Sequence, residues 1–338
     1  MQKFNVLGVC GGNGVLLFPF KKRLIGNVEP RGCFHTKKEE QWKLNFGEYT
    51  PITRDLEPFK NMIVDIIMGS PSCGHSSVFR YSRSKKMGKP KEDKSMNMFL
   101  YSILLFKPKM FLLENLPKLL DNIPLEEWEE KFPNYNIICL QGSVSLWGNS
   151  QESRKRLLII GIDKSLGDAI KYFNEIFPCS YYHKLIVSEI EKLANPKINF
   201  RNSPEKKVAM YDYRDPKKKN LTLRQVKKLW KGDFKNEFKW PIKSKKMWTL
   251  PGVYRNNPNK YPMTVRPADR QFNSKGKQLG LDEIRIIMGI SPKFKVYIDK
   301  DKKDYWVNKG RISLTKGVVF EIGLWFKKCL RNYYHSLE

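Results

Sequence analysis

The sequence of 338 residues carries 63 lysines and arginines against 34 aspartates and glutamates, a formal net charge of +29. This length predicts one large domain and a smaller one, and 41% hydrophobic residues suffice for a packed core, which excludes disorder of the whole chain. No apolar run approaches the roughly 20 residues of a membrane span, and the scattered cysteines lack the pattern of a disulfide framework. We therefore expect a soluble, cytoplasmic protein with reduced cysteines.

The positive charge predicts a negatively charged partner, either nucleic acid or an anionic membrane surface. Basic residues are interleaved with aromatic residues over residues 201–220 and 224–248, and no long helix has a basic face opposite an apolar one. This distribution favours nucleic acid and argues against a membrane. A lysine-rich composition from an A/T-biased genome explains the charge equally well.

The first predicted elements are a strand, a tight turn and the start of a helix. A glycine cluster interrupts the apolar run of residues 4–18, and glycines let backbone N–H groups approach a ligand. A second strand within residues 23–30 ends at Glu29, where a carboxylate can accept hydrogen bonds from ribose hydroxyls. An ordinary surface glutamate beside a proline is the alternative. The glycines of the cluster are Gly11, Gly12 and Gly14.

Further polar residues lie next to the apolar runs that follow. Asp55 precedes the strand that begins after residue 60, and that run ends in the cluster Gly69-Ser70-Pro71-Ser72-Cys73. The run that begins at residue 107 ends in Glu114-Asn115. Because open α/β sheets bind ligands outside the carboxyl ends of their strands, both clusters are expected to face one crevice.

The next apolar runs complete a predicted sheet. Residues 134–148 and 156–162 predict an antiparallel pair that closes it. Strands separated by helical or loop segments over residues 1–163 favour an α/β, doubly wound sheet.

The second half of the chain changes character. Residues 164–195 are predicted to be helical, and residues 196–260 are rich in proline, lysine and aromatic residues without clear periodicity. Helices are predicted within residues 279–294 and 317–334, where apolar periodicity returns.

The order of these motifs resembles that of the DNA (cytosine-5)-methyltransferases. Residues 69–77, GSPSCGHSS, are similar to the family's Pro-Cys nucleophile loop, residues 111–120 to its Glu-Asn-Val motif, and residues 150–161 to its Gln-x-Arg-x-Arg motif. Residues 264–270 and 279–294 are similar to the segment that follows the family's target recognition domain. The resemblance covers most of the chain.

The resemblance implies an α/β fold with a doubly wound, Rossmann-like methyltransferase sheet. It places the catalytic and cofactor-binding domain at residues 1–165 and a smaller, basic target recognition domain at residues 166–260. Residues 261–338 are then a C-terminal segment that returns to the catalytic domain.

The resemblance also implies the reaction and its residues. A methyl group passes from S-adenosylmethionine to C5 of a flipped cytosine in duplex DNA through an adduct between a cysteine and C6. The catalytic residues are then Cys73 as nucleophile, Glu114 at N3, and Arg154 or Arg156 at O2. The implied cofactor-binding residues are Gly11, Gly12, Gly14, Glu29, Asp55 and Pro71. No metal site is predicted.

The partner implied is duplex DNA, bound by a monomeric, bacterial or phage-like enzyme such as that of a restriction-modification system. The basic loop after Cys73 and the basic stretch before residue 248 are expected to contact DNA phosphates. The predicted nucleic-acid-binding residues are Ser76, Arg80, Arg83, Lys85, Lys86, Lys217, Lys218 and Lys219.

Several positions depart from the family pattern. The glycine turn lacks the expected aromatic residue, Pro71-Ser72-Cys73-Gly74 replaces Pro-Pro-Cys-Gln, and one extra residue separates Gln151 from Arg154. The final Gly-Asn-Ser-Val-Pro motif is hard to find in residues 310–323.

Two alternative functions stay open. An RNA (tRNA) cytosine-5 methyltransferase shares the same motifs, and a catalytically idle nucleic-acid-binding protein on this scaffold would explain the altered cofactor turn. Taken singly, Glu114 and the two arginines are equally consistent with a strand end and a solvated turn. A zinc site at Cys33 and His35, or at Cys73 and His75, is disfavoured because a one-residue gap splays the ligands.

Overall fold

The computed structural model describes residues 4–30, 36–71 and 93–199, and shorter stretches of the C-terminal part of the chain. Those stretches are residues 253–255, 258–262, 264–265, 270–272, 274, 279–297, 310, 314–315 and 318–338.

Seven strands form one sheet. They are β1 (Val6–Val9), β2 (Leu24–Val28), β3 (Ile52–Thr53), β4 (Ile66–Gly69), β5 (Met110–Asn115), β6 (Tyr135–Ser143) and β7 (Lys155–Asp163). Their spatial order is β3-β2-β1-β4-β5-β7-β6. The first five strands pair in parallel, and β7 runs antiparallel between β5 and β6. This arrangement confirms the predicted α/β, doubly wound sheet and its antiparallel closing pair.

The strand order reverses between β1 and β4, so the crevice at the carboxyl ends of these two strands is the switch point of the sheet. A separate parallel pair consists of β8 (Val253–Arg255) and β9 (Arg270–Phe272).

Six α-helices lie in the described ranges. They are α1 (Thr36–Phe46), α2 (Lys94–Phe106), α3 (Leu125–Lys131), α4 (Val187–Leu193), α5 (Leu281–Ile287) and α6 (Phe320–His335). Asp93 caps α2 by accepting a hydrogen bond from the N–H of Ser95, which satisfies one of the unpaired donors of the first turn. None of the helices in these ranges has the length and apolar character needed to cross a membrane.

The sheet is buried on both faces because successive side chains of a strand point to opposite sides. On β5, Met110 and Leu112 join the cluster that contains α6, whereas Phe111 and Leu113 join the cluster that contains α2 and α3. All four side chains are at most 1% exposed. Continuous apolar runs such as this one are typical of parallel strands covered on both faces, which is why the strands are readable in the sequence.

Two predicted helical segments differ in the structure. The glycine turn leads into a short 3-10 helix, Phe18–Phe20, because Pro19 has no N–H group for a continuing α-helix. Residues 164–195 contain a 3-10 segment, Lys164–Tyr172, and then α4, with irregular backbone between them. Gly167 has a φ of 56° inside the 3-10 segment, so regular helix geometry is broken there.

Residues 164–199 pack against the C-terminal part of the chain. The rings of Phe173 and Phe326 lie 5.4 Å apart, and the indole N–H of Trp325 donates a hydrogen bond to the carbonyl oxygen of Glu175 at 3.0 Å. Phe173 and Glu175 of this stretch therefore contact α6. The remainder of the predicted recognition domain up to residue 252 lies outside the described residues.

Candidate active site

The glycine turn lies at the switch point of the sheet. Cys10 follows β1 and has a left-handed φ of 60°, which redirects the chain into the turn. The carbonyl oxygen of Cys10 accepts a hydrogen bond from the N–H of Ser70, the residue after β4, at 3.3 Å. The carboxyl ends of β1 and β4 thus meet in the crevice that the sequence predicts.

Glu29 fastens the glycine turn to the end of β2. Oε1 of Glu29 accepts hydrogen bonds from the N–H of Gly12 at 2.5 Å and from Nδ2 of Asn27 at 3.0 Å. Oδ1 of Asn27 accepts the N–H of Gly11 at 3.1 Å. The Glu29 carboxylate is 6% exposed, so these hydrogen bonds replace the water that burial removes.

The three predicted glycines have different surroundings. A Cβ atom at Gly12, whose φ is +64°, would meet no heavy atom within 4 Å. A Cβ atom at Gly11 would lie 2.5 Å from Cδ1 of Leu17, and one at Gly14 would lie 2.4 Å from the ring of Phe46. Gly12 therefore borders open space that a ligand can enter, whereas Gly11 and Gly14 allow the turn to pack closely.

Asp55 lies after β3, the neighbour of β2, and is exposed. Oδ1 of Asp55 accepts a hydrogen bond from the N–H of Glu57 at 3.1 Å, and this bond holds the carboxylate at the strand end. Glu29, which binds the N–H of Gly12, and Asp55 thus follow neighbouring parallel strands at the same edge of the sheet. This set of polar groups fits a nucleoside-containing cofactor such as S-adenosylmethionine.

Glu114 lies at the carboxyl end of β5 and has a partner on each carboxylate oxygen. Oε1 forms an ion pair with Nε of Arg156 at 2.6 Å, and Oε2 accepts a hydrogen bond from Oγ of Ser70 at 2.6 Å. The Glu114 and Arg156 side chains are 5% and 13% exposed. Such a pair, largely shielded from water, interacts more strongly than an exposed one.

Asn115 binds Pro71, which lies at the start of the predicted nucleophile loop. Its Nδ2 donates a hydrogen bond to the carbonyl oxygen of Pro71 at 3.2 Å, and its Oδ1 accepts the N–H of Leu116 at 2.8 Å. Pro71 precedes Cys73 by two residues. The end of β5 therefore carries the Glu114 carboxyl group and also binds the backbone of Pro71, two residues before Cys73.

Arg154 has a different environment from Arg156, although both were predicted to be catalytic. Arg154 is 5% exposed and donates hydrogen bonds to the carbonyl oxygens of Val265 at 3.0 Å and Thr315 at 3.4 Å. Gln151 accepts the N–H of Val265 on its Oε1 at 2.9 Å. Arg154 and Gln151, which precede β7, thus bind the carbonyl oxygen and the N–H of Val265. Arg156, in contrast, pairs with Glu114.

A second cluster of buried polar side chains consists of Arg154, Gln151, Asn149 and Glu321, and Glu321 is its carboxyl group. Oε1 of Glu321, in the first turn of α6, accepts hydrogen bonds from Nδ2 of Asn149 at 3.0 Å and Oγ of Ser180 at 3.2 Å. Burial raises the pKa of Glu321 to about 8, although its hydrogen bonds and the nearby Arg154 favour the charged form.

Sequence reasoning missed the roles of Ser70, Asn27 and Gln151 in these contacts. Each is a polar residue next to a predicted strand end or turn, and each bonds a residue at least 16 positions away. Their position beside apolar runs is a signal in the sequence, but it does not identify the partner.

Several predicted residues lie outside the described part of the chain. Cys73, its loop and the basic cluster of the predicted recognition domain are among them, as are both Cys-x-His pairs. The nucleic-acid-binding residues concerned are Ser76, Arg80, Arg83, Lys85, Lys86, Lys217, Lys218 and Lys219. Within the part that is described, no three His, Cys, Asp or Glu side chains form a group that could hold a metal ion.

The fold is similar to those of solved methyltransferase structures. An E. coli prophage protein assigned as a DNA modification methyltransferase has a TM-score of 0.63 at 17% identity, over 98% of this chain and 99% of its own. The Entamoeba histolytica methyltransferase EhMeth has a TM-score of 0.64 at 14% identity, with all of both chains covered. The S. pombe Dnmt2 methyltransferase has a TM-score of 0.59 at 11% identity, over 97% and 98% of the two chains.

No curated protein matches the sequence. The sequence profile of the C-5 cytosine-specific DNA methylases, in contrast, matches residues 32–307. That range includes the ends of β4 and β5, the loop before β7 and the helix α5. The chain therefore belongs to the family of C-5 cytosine-specific DNA methylases.

Proposed function

We propose that the protein transfers a methyl group from S-adenosylmethionine to C5 of a cytosine flipped out of duplex DNA. The observation that carries this proposal is the shielded Glu114–Arg156 pair at the crevice, next to the root of the loop that contains Cys73. Membership of the family makes the protein a methyltransferase, and the site chemistry supports the finer assignment.

Cys73 is the proposed nucleophile. C5 of cytosine is a poor nucleophile, so a thiolate must first add to C6. As the bond between the Cys73 sulfur and C6 forms, the electron pair of the C5–C6 bond is delocalised towards N3, where Glu114 supplies a proton. C5 of the resulting enamine forms the new bond to the methyl carbon, whose bond to the sulfonium sulfur of the donor breaks and leaves a neutral thioether. The N3 proton returns to Glu114, and loss of the C5 proton to solvent with release of the thiolate then restores the ring.

Glu114 and Arg156 match two neighbouring polar groups of cytosine. The ring atom N3 and the exocyclic oxygen O2 are both attached to C2, and the carboxyl and guanidinium groups are in direct contact. We assign Glu114 to N3 and Arg156 to O2, where a cation stabilises the charge that develops during addition. Arg154 is assigned to holding Val265 and Thr315, because its donors already bind their carbonyl oxygens.

The cofactor-binding role is assigned to the glycine turn and the neighbouring strand ends. S-adenosylmethionine supplies an electrophilic methyl group when bound. Glu29 is proposed to bind the ribose, Asp55 the adenine edge, and the backbone of Gly12 the amino-acid end. Pro71, which follows β4, is proposed to contribute to the same site, and Gly11 and Gly14 allow the turn to pack closely.

The basic segments are proposed to bind DNA. Extrusion of the target base costs a few kcal/mol, which contacts to the DNA backbone offset. Residues 76–95 follow the nucleophile directly, and residues 166–260 are proposed as the recognition domain between the catalytic domain and its C-terminal segment. A monomeric, intracellular enzyme of bacterial or phage type is the proposed context.

The test is transfer of a labelled methyl group to duplex DNA by the wild-type protein and by Cys73→Ser. We expect transfer by the wild type and its loss in the variant, because a hydroxyl group is a far weaker nucleophile than a thiolate. Cys139→Ser is the matched control, since burial raises the pKa of that thiol and it lies in β6. Unchanged transfer by Cys73→Ser would contradict the mechanism.

Two further measurements separate the alternatives. Competition between tRNA and duplex DNA for methyl transfer identifies the substrate class, and preference for tRNA would overturn the DNA assignment. Calorimetry that detects no binding of S-adenosylmethionine would favour an idle nucleic-acid-binding protein.

A further inference from the structure

Ser70 contacts the acid of the proposed reaction but has no role in the function assigned so far. Its Oγ donates to Oε2 of Glu114 at 2.6 Å, a short hydrogen bond of the kind typical of a hydroxyl and a carboxylate. Ser70 is partly exposed, whereas Glu114 is 3% exposed. The serine therefore lies between the buried carboxyl group and the crevice.

The backbone around Ser70 is fixed on both sides. Its N–H donates to the carbonyl oxygen of Cys10 at 3.3 Å, and the carbonyl oxygen of the next residue, Pro71, accepts from Asn115 at 3.2 Å. The hydroxyl group is thus held against Oε2 by two neighbouring strand ends. A chance orientation of a surface side chain would lack this support.

The two partners of Glu114 differ in what they can do when the carboxyl group gains a proton. Nε–H of Arg156 on Oε1 can only donate, because the guanidinium has no acceptor and does not lose its charge in proteins. The Ser70 hydroxyl on Oε2 can donate to a carboxylate and can also accept from a carboxylic acid. A proton is therefore compatible with Oε2 and disfavoured on Oε1.

We propose that Ser70 is the positioning residue that makes Oε2 of Glu114 the proton-carrying oxygen in methyl transfer. In the resting site Ser70 donates to the carboxylate at Oε2. When a proton from solvent binds Oε2, the hydroxyl rotates and accepts it, and the carboxyl group keeps its orientation. When the base enters, the proton on Oε2 turns to N3. This role rests on the function proposed for Glu114.

The test is the pH dependence of kcat in Ser70→Ala and Ser70→Thr. In Ser70→Ala the carboxyl group loses a partner that donates to its charged form and accepts from its protonated form, so the alkaline limb of the pH–rate profile is expected to move from its wild-type position. The maximal kcat is expected to fall about tenfold because the carboxyl group loses its orientation, the size expected for one hydrogen bond. Ser70→Thr retains the hydroxyl group, so its alkaline limb and its maximal kcat are expected to stay close to the wild-type values.

The control is Ser102→Ala, which removes a buried serine hydroxyl that donates to the carbonyl oxygen of Phe99 within α2. Its alkaline limb is expected to stay in place. If Ser70→Ala fails to fold, Ser70→Cys substitutes a weak donor of similar size and is expected to give a smaller shift in the same direction.

The outcomes distinguish the two proposals. Glu114→Gln retains a similar shape but cannot supply the proton, so full activity in that variant would contradict the proposed function itself. Loss of activity in Glu114→Gln with an unmoved alkaline limb in Ser70→Ala and Ser70→Cys would overturn the role of Ser70 alone. A merely structural Ser70 would lower kcat at every pH without moving the limb.

Discussion

Arg154 and Arg156 lie two positions apart and have opposite surroundings. Arg156 forms an ion pair with Glu114 at the rim of the crevice, and its side chain is 13% exposed. Arg154 donates to the carbonyl oxygens of two residues more than 100 positions away in the sequence. One arginine pairs with the proposed catalytic acid, and the other connects distant parts of the chain. A shared motif therefore does not imply a shared role.

The clusters around the two arginines differ in the same way. The Glu114 cluster includes the partly exposed Ser70, so it is in contact with solvent. The Arg154 cluster includes Gln151, Asn149 and Glu321 and is buried throughout. Buried polar groups of this kind are costly to disrupt, because an orphaned partner loses its hydrogen bond without regaining water. The first cluster should govern rate and the second should govern stability.

The largest effect is expected for Arg156→Lys. Lysine keeps the charge but not the planar fork of donors, so the contacts to Glu114 and to the base cannot both form. We expect kcat for methyl transfer to fall about 100-fold or more, with little change in the urea unfolding midpoint. A loss of stability with normal kcat would reverse the roles of the two arginines.

The matched variant Arg154→Lys is expected to act on stability. One ammonium group cannot easily reach the carbonyl oxygens of both Val265 and Thr315, so one of them is left unpaired. The free energy of unfolding is expected to fall by about 2 kcal/mol, measured by urea denaturation. A urea midpoint equal to that of the wild type would show that the hydrogen bonds of Arg154 to Val265 and Thr315 contribute no measurable stability.

A smaller, pH-dependent effect is expected for Glu321→Gln. Burial raises the folded-state pKa of Glu321 to about 8, above its ordinary value of 4.5, so this group stabilises the fold fully below pH 4.5. That contribution is lost as the pH rises to about 8, because the unfolded chain releases its proton first. Glutamine stays neutral, so the stability of the variant is expected to fall less between pH 5 and pH 8.

Urea unfolding at the two pH values measures this difference. Glu39→Gln is the control, because Glu39 is half-exposed and pairs with Lys43 on the surface of α1. Equal pH dependence in wild type and Glu321→Gln would contradict a neutral Glu321.

The smallest effect is expected for Lys43→Ala. Its ion pair with Glu39 at 3.3 Å joins two half-exposed side chains four residues apart on α1. Pairs of this kind contribute about 0.3–0.5 kcal/mol, and salt screens them. Thermal unfolding at low and high salt measures the contribution. A loss of stability as large as that of Arg154→Lys would show that this surface ion pair contributes as much as the buried hydrogen bonds.

The strands and their polar ends were predictable because their signals are local. The apolar runs of β4 and β5 are buried on both faces, and Glu29 and Glu114 follow from their places at strand ends. The antiparallel closing pair of β6 and β7 was predictable for the same reason.

The different contacts of Arg154 and Arg156 were not predictable, because they join residues that are far apart in the sequence. Val265 lies 111 positions after Arg154, and no periodicity in the sequence encodes that pairing. The link from Ser70 to Glu114 spans 44 positions and depends on the order of the strands in the sheet. The distinction between Gly12 and Gly14 depends on the placement of Phe46.

Cys10 has a consequence for the segment that contains the proposed nucleophile, Cys73. Its carbonyl oxygen binds the N–H of Ser70, and its Sγ donates to the carbonyl oxygen of Ser95 at 3.4 Å. Ser70 and Ser95, which flank residues 72–92, therefore both form a hydrogen bond with Cys10. Bringing together the two ends of a chain segment of this length costs about 3 kcal/mol in chain entropy. Folding has already supplied that ordering, so binding of a substrate need not bring the two ends together.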